Sequence, residues 1–412
     1  MRRALAAAVL SVSVAVTGLT LSAPAQASSG GPIDDTAFGM HVPLIAQGEQ
    51  TTVNDGTIRL WDSGVAWGQV NQANGKYWWN GLDAAIANAN AQNLRILYVL
   101  GSTPTWAASN KKQGTYPNKG AASMPKSTKY WKNWVTAVVK RYGNSIDAYQ
   151  IWNEANLTTF WKGSPKQMAQ LTQQAYKIIR KYDPTAKVVA ASTTVRLQSA
   201  YKKFFPKYLK ELKKVKWPID VMSVHLYPEA SGTPANRVQY IKQVQKDMKK
   251  GKVPASKQLW DTEINYGIAG PGSSRPRVPI DGPTASAYVA ATYLDDMLYG
   301  IDRAYWYYWF NNSGLVGIQM FTGTYGALGY ETARNWMSGS FYSCTEGTPN
   351  VCQMGDNVNP KVVAWTNGAQ GTFTVPANAT VMCDATNTCV PVAPGSQVPI
   401  GSMPQWFGNP AS

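Results

Sequence analysis

Residues 148–157, AYQIWNEANL, begin apolar and turn polar abruptly. Asn and Glu are poor strand formers. A run led by Tyr149, Ile151 and Trp152 and closed by Asn153 and Glu154 therefore reads as a strand that delivers a carboxylate to its tip. The same shape recurs along the chain. Apolar, β-type runs occur at TAFGMHV (36–42), TIRLWDS (57–63), RILYVLGS (95–102), AYQIWNE (148–154), KVVAAST (187–193), VMSVHLY (221–227), QLWDTEI (258–264) and RAYWYYWF (303–310). They are nearly continuous in their apolar character, as strands buried on both faces are.

Helix-like segments separate them. WNGLDAAIANANAQN (79–93) carries Leu82, Ala85, Ile86 and Ala89 at helical spacing. TKYWKNWVTAVVKRYG (128–143) ends on a Gly stop signal. SPKQMAQLTQQAYKIIRKYD (164–183) opens with Ser then Pro, a helix start, and lines up Met168, Leu171, Ala175 and Ile179. Further segments follow at 201–217, 234–251, 283–300 and 330–339. Residues 43–56 show no helical pattern, so a loop or short turn is expected there. Eight alternations of strand and helix predict a parallel sheet, and the count of eight predicts closure into a (β/α)8 TIM barrel over residues 33–339. An open doubly wound sheet would show a Gly-rich phosphate turn after its first strand, and GMHVPLIAQG is not one.

The ends of the chain read differently. Residues 1–27 combine Arg2 and Arg3, an apolar stretch to about Leu21, and small residues in APAQA, the layout of an export signal cleaved after Ala27. No later stretch is long and apolar enough to span a bilayer, so a secreted, extracellular protein is expected. From residue 340 to 412 helical periodicity stops, and short strand-like pieces such as KVVAWT (361–366), GTFTVP (371–376) and ATVMCD (379–384) predict a small C-terminal β appendage. All four cysteines lie there. An oxidising destination predicts two disulfides, and proximity favours Cys344–Cys352 and Cys383–Cys389 among three connectivities. A zinc site would want CxxC spacing or a nearby His, and neither is present, so no metal is expected.

The formal net charge is +16. Its densest run, YKKFFPKYLKELKKVKW (201–217), places Phe204, Phe205, Tyr208, Leu209 and Leu212 at helical spacing, which makes it an amphipathic helix with a solvated basic face. No nucleic-acid module is recognisable. Attraction to anionic cell-wall polymers is the other use such a charge allows.

In a barrel of this kind reactive groups sit at the C-terminal ends of the strands. The second run ends with Arg59, Trp61 and Asp62, the fourth with Asn153 and Glu154, the sixth with His225 and Tyr227, the seventh with Asp261, Glu263 and Asn265. Glu154 and Glu263 thus emerge at one rim from strands that lie across the mouth. Taken singly, each is an ordinary solvated or paired residue. A pair facing one pocket is what glycosidic bond cleavage needs: one donates a proton to the leaving oxygen, the other attacks the anomeric carbon or activates water. A separation of about 5–5.5 Å selects the covalent, retaining route and a wider one admits water. Trp306 and Trp309 are three apart, so on a regular strand they face opposite ways, and Trp309 is expected beneath the sugar.

IWNEAN (151–156), VHLYP (224–228) and LWDTEINYG (259–267) resemble the clan A glycoside hydrolases, the retaining group that includes families 5 and 39, and RLWDS (59–63) is similar to the second strand of family 39 members. Family 5 enzymes usually carry a His after the third strand. GSTPTWA has none, which favours family 39 and its relatives. The resemblance implies Glu154 as general acid/base, Glu263 as nucleophile, Asn153 on the sugar 2-hydroxyl, Tyr227 hydrogen-bonded to the nucleophile with His225 beside it, Arg59 keeping Glu263 ionised, and Trp309 flooring the reacting subsite. It implies a carbohydrate substrate and no cofactor, and a monomer is expected. The alternative is a non-catalytic, carbohydrate-binding or wall-associated barrel. A serine or metal hydrolase would need a GxSxG or HExxH motif, and the chain has only His41 and His225.

Overall fold

The computed structural model describes residues 27–272, 274–311, 314–355 and 361–409. The expected export signal lies outside them, apart from Ala27, which opens strand β1 (Ala27–Gly30).

Eight parallel strands then close a barrel: β2 (Phe38–Met40), β3 (Thr57–Leu60), β4 (Arg95–Val99), β5 (Ala148–Gln150), β6 (Lys187–Val189), β7 (Val221–His225), β8 (Gln258–Ile264) and β9 (Arg303–Trp306). Pairing of β9 with β2 completes the ring. Every apolar run read from the sequence contains one of these strands. Most strands stop before their run does. In 148–154 the ladder ends at Gln150, and Ile151 to Glu154 form the loop at the strand's C-terminal end.

The helices follow the same order. α1 (Trp67–Val70) is a single turn that the sequence pattern did not indicate. α2 (Asn80–Ala91), α3 (Thr128–Tyr142), α4 (Pro165–Tyr182), α5 (Gln198–Lys214), α6 (Pro234–Gly251), α7 (Gly282–Tyr299) and α8 (Tyr325–Met337) are the crossovers and the closing helix. Ser164 and Gln167 cap α4 reciprocally, each side chain accepting from the other's backbone N–H, as the Ser-Pro start predicts. The basic segment begins three residues earlier than its pattern suggested and buries Tyr201, Phe204, Phe205, Tyr208, Leu209 and Leu212, leaving its lysines outside. α8 starts at Tyr325, five residues before the expected 330, because Thr324 caps it by accepting the Ala327 N–H. Gly326 and Gly329 in its first turns hid the periodicity. A Cβ on Gly329 would lie 2.5 Å from Ser286 Cα, so Gly at this position is what lets α7 and α8 touch. The first crossover holds only a one-turn 3-10 segment, Ile45–Gln47.

The C-terminal region forms an antiparallel sheet from β10 (Tyr342–Thr345), β11 (Asn350–Met354), β12 (Lys361–Trp365), β14 (Val381–Asp384), β15 (Cys389–Pro391) and β17 (Gln405–Gly408). Strands β13 (Gly371–Thr374) and β16 (Gln397–Ile400) make a separate ladder. β1 joins the sheet as its edge, against β10. Both disulfides form as proximity suggested. Cys344 faces Cys352 across β10 and β11, and Cys383 faces Cys389 across β14 and β15. The sheet docks on α7, where Asp295 accepts from the Trp365 indole at 2.9 Å and from the Asn367 amide at 2.8 Å. Helix α7 is therefore covered by the barrel on one side and the sheet on the other, which is why it is buried nearly all round. Among the described residues no helix is long and apolar enough to cross a membrane.

Inside the barrel the packing is layered. The lower layer is an apolar plug of Leu97, Ala148, Val189, Val221, Trp260 and Tyr305. Above it the inward positions turn polar, with Arg59, Gln150, Ser223 and Thr262 all buried and mutually hydrogen-bonded. This polar layer is the floor on which the mouth of the barrel is built.

Candidate active site

Glu154 and Glu263 meet at that mouth. His225 stands between them, with Nδ1 3.1 Å from Glu154 Oε1 and 3.3 Å from Glu263 Oε2. One carboxylate oxygen of each Glu and a ring nitrogen of His225 all lie within 4.8 Å of one another. The two carboxyl side chains are only 13% and 8% exposed.

The strands aim these groups by different devices. Along β7, alternation carries Val221, Ser223 and His225 inward in turn. Alternation alone would turn Glu263 outward, because Thr262 already points in. A bulge corrects this: Val224 pairs with Asp261, but His225 pairs with Glu263, so β8 gains one residue at its tip. Glu154 sits beyond the ladder, at φ +40°, with its N–H bonded to Ser192 Oγ at 2.9 Å. Asp62 (φ +62°) and Ser102 (φ +79°) share this left-handed backbone at neighbouring strand tips. Such conformations cost about 1 kcal/mol or more each and persist where surrounding contacts hold them.

Arg59 organises the nucleophile side. Its Nη1 donates to Glu263 Oε1 at 2.6 Å, its Nη2 to Asn153 Oδ1 at 2.8 Å, and its Nε to Gln150 Oε1 at 2.7 Å. The Tyr227 hydroxyl donates to Glu263 Oε2 at 2.9 Å. The Asn153 oxygen is thus occupied by Arg59, which orients the amide of that side chain. Burial pushes the Glu154 carboxyl up to about 7, against the pull of the Arg196 and Arg59 guanidinium groups. Burial also pushes Glu263 upward, opposed by His225 and by Arg59 in direct contact. Burial holds His225 neutral, drawn down to about 3. A neutral ring facing two carboxylates through Nδ1 carries its proton there and donates it.

The structure thus brings Arg59, Asn153, Glu154, His225, Tyr227 and Glu263 into one hydrogen-bonded cluster. Trp309 is placed otherwise. Strand β9 ends at Trp306, so the alternation used to separate Trp306 from Trp309 does not extend that far. Both rings pack into the main apolar core, and Trp309 is 3% exposed. Tyr307 borders the cluster instead: its ring stands edge-on to Tyr227 at 6.4 Å and to His41 at 5.0 Å, and its hydroxyl donates to Asp62 Oδ2 at 2.7 Å. Tyr116 also donates to Asp62. Of the other polar residues closing the seventh run, Asp261 faces outward to Arg237 at 2.8 Å, and Asn265 donates to the Tyr307 and Ile318 carbonyls.

Some members of the site escaped the sequence reading. Gln150, His41 and Ser192 each hold a site residue or its neighbour. A signal existed for two of them: Gln150 is a polar residue inside an apolar run, and His41 closes the first run as His225 nearly closes the sixth. His41 Nε2 lies 3.1 Å from the Thr262 carbonyl and 3.5 Å from Arg59 Nη1.

A family model described as glycosyl hydrolases family 39 matches residues 63–312. A β-xylosidase from Geobacillus stearothermophilus is 30% identical over 115 residues, which is 26% of this chain and only 23% of that protein. Among solved structures, a family 39 glycoside hydrolase from Bacteroides cellulosilyticus superposes with a TM-score of 0.67 at 18% identity, covering 91% of this chain and 82% of the other. A monomeric β-xylosidase from Caulobacter crescentus superposes with a TM-score of 0.63 at 16% identity, covering 93% and 98%.

Proposed function

The chain belongs to glycosyl hydrolases family 39, and from that premise we propose that it is a retaining glycosidase acting on an oligo- or polysaccharide outside the cell. The observation that carries this reading is the approach of Glu154 and Glu263 across His225, one oxygen of each lying within 4.8 Å of the other, in keeping with the short carboxylate spacing of double displacement.

Glu263 attacks the anomeric carbon while Glu154 gives its proton to the departing glycosidic oxygen. The C–O bond breaks and a glycosyl ester on Glu263 forms. Glu154, now a carboxylate, takes a proton from water; the hydroxide attacks the same carbon, the ester breaks, and both residues return to their starting states. The surroundings support this division. Glu263 receives charge-assisted donation from Arg59 and a further bond from Tyr227, which favour its ionised form. Glu154, lifted to about 7, holds a proton to donate near neutrality. His225 donates without bringing a charge of its own. Arg59 occupies the Asn153 oxygen, so the Asn153 amide is left to donate to the sugar 2-hydroxyl, a contact that tightens as positive charge grows on the ring.

Export is supported by the two cross-strand disulfides, which suit an oxidising compartment. A monomer is in keeping with the C. crescentus relative. The test is a panel of cell-wall polysaccharides with products followed by NMR. The anomer appearing first should match the configuration of the bond cleaved, and prior appearance of the opposite anomer overturns the retaining mechanism. Glu263→Gln should abolish hydrolysis while substrate binding survives.

A further inference from the structure

A groove of about 760 Å³ begins at Ala155 and Asn156, the residues directly after Glu154. Resting on the glycosidase reading above, we propose that this groove receives the leaving-group side of a saccharide bearing negatively charged units, carboxylate or phosphate.

The charge of the groove wall carries the argument. Lys162 comes from the loop after β5, Arg196 from the loop after β6, Lys203 and Lys207 from α5, and Arg275 from the loop after β8. The acidic residue among the lining groups is Glu229, and its carboxylate lies 3.8 Å from Arg275 Nε. Neutral sugars need aromatic faces and a few hydrogen-bonding groups of either charge. Such recognition gives no reason to converge five cations. A solvated basic helix accounts for Lys203 and Lys207 by themselves. It does not account for their meeting cations from three other segments.

Arg196 is the second observation. It is 7% exposed, and its Nη2 is fixed by the carbonyls of Ala269 and Gly270 at 3.2 and 2.7 Å. Its Nη1 has no hydrogen-bond partner, and no carboxylate of the described residues is in ion-pair contact with it. Buried cations are ordinarily paired. Here a fixed guanidinium stands in the wall beside the proton donor, near enough to draw on the Glu154 carboxyl but in ion-pair contact with no carboxylate among the described residues. Trp161 and Phe204 supply apolar wall beside it. The acid that protonates the glycosidic oxygen must touch the departing unit, so a chain leaving Glu154 runs into this groove. Its anionic groups then meet Arg196 first and the lysines farther out.

The test measures binding by calorimetry with Glu263→Gln, which separates recognition from turnover. The probes are polygalacturonate, a glycerol-phosphate teichoic polymer and neutral xylan. Overall basicity is controlled by comparing Lys203→Gln/Lys207→Gln with Lys246→Gln/Lys250→Gln, exposed residues of α6 outside the groove that remove the same charge. A polyanion should bind roughly tenfold more tightly than xylan. The groove pair should weaken it by roughly tenfold and the α6 pair by less than about twofold. Polygalacturonate alone would identify carboxylate, the teichoic polymer alone phosphate. Arg196→Gln should weaken the same probe. If it fails to fold, the lysine pair decides. Equal losses in both lysine pairs, or xylan bound as tightly as the polyanions, overturn the proposal. Wild-type cleavage of neutral glycans without polyanion binding sinks this inference and spares the glycosidase reading. Groove-specific polyanion binding with no glycan cleaved does the reverse.

Discussion

Strand β8 feeds two buried arginine clusters, and they differ in what they leave open. Asp261 points out of the barrel to Arg237, which also bonds Asp296 of α7 at 2.5 Å. Glu263, two positions on, points into the mouth to Arg59. Each arginine is fully buried and faces charged partners. Around Arg237, itself on α6, the partners come from β8 and α7 and are 0% and 6% exposed, so the charge is spent on holding layers together. Around Arg59 the second carboxylate of the site, Glu154, is tied to a neutral His and stays 13% exposed. A sealed ion cluster braces structure. An opened one keeps a proton and a negative oxygen within reach of a substrate.

Exchange experiments can break or sharpen that contrast. The largest effect is expected from Glu263→Gln, which should lower kcat by about 10⁴-fold or more while the melting temperature holds. Loss of folding instead would make Arg59–Glu263 a second brace. Arg237→Met leaves Asp261 and Asp296 buried without a counter-ion. It should lower the unfolding free energy by about 3–5 kcal/mol in urea titrations, with kcat/KM below the melting range unchanged within roughly twofold. Tyr227→Phe removes one bond to Glu263 and should reduce kcat/KM about tenfold, with stability changed little.

Two pH measurements follow from Glu154. Its proton is needed for the first step and its ordinary value is raised to about 7, so kcat/KM should fall about tenfold per pH unit above that point. A profile flat to pH 9 would remove it as the acid. The raised value also has a stability consequence. The folded protein holds this proton more tightly than the unfolded chain does, so the contribution is present below about pH 4.5 and is lost as pH rises to about 7. Glu154→Gln should therefore lose less stability than the wild type between pH 5 and 8, by an amount of order 1 kcal/mol.

Much of this was legible in the chain because burial on both faces forces apolar runs, and the polar residues closing them had to lie at the mouth. Glu154, His225 and Tyr227 could be read that way. Glu263 was found by the same rule for a reason the rule does not contain, since only the β8 bulge turns it inward. Trp309 was misplaced in the sequence argument because alternation was extended past the end of β9, and Tyr307 went unremarked. Asp62 was seen but given no partner, because Tyr116 and Tyr307 reach it from distant loops. Gly326 and Gly329 masked the start of α8, where close approach to α7 outranks helix propensity. The pairing of β1 with β10 left no trace in SSGGPIDD, whose few atoms of side chain encode no partner.

That pairing also fixes an order of events during biosynthesis. Ala27 aligns with Thr345, and Ser28 reaches across to the Met297 carbonyl. The earliest described strand emerges from the ribosome long before either target exists. It must wait until every barrel strand has been made before its partner β10 appears. A chain released before Tyr342 can assemble every barrel strand and still have nothing for its head to grip.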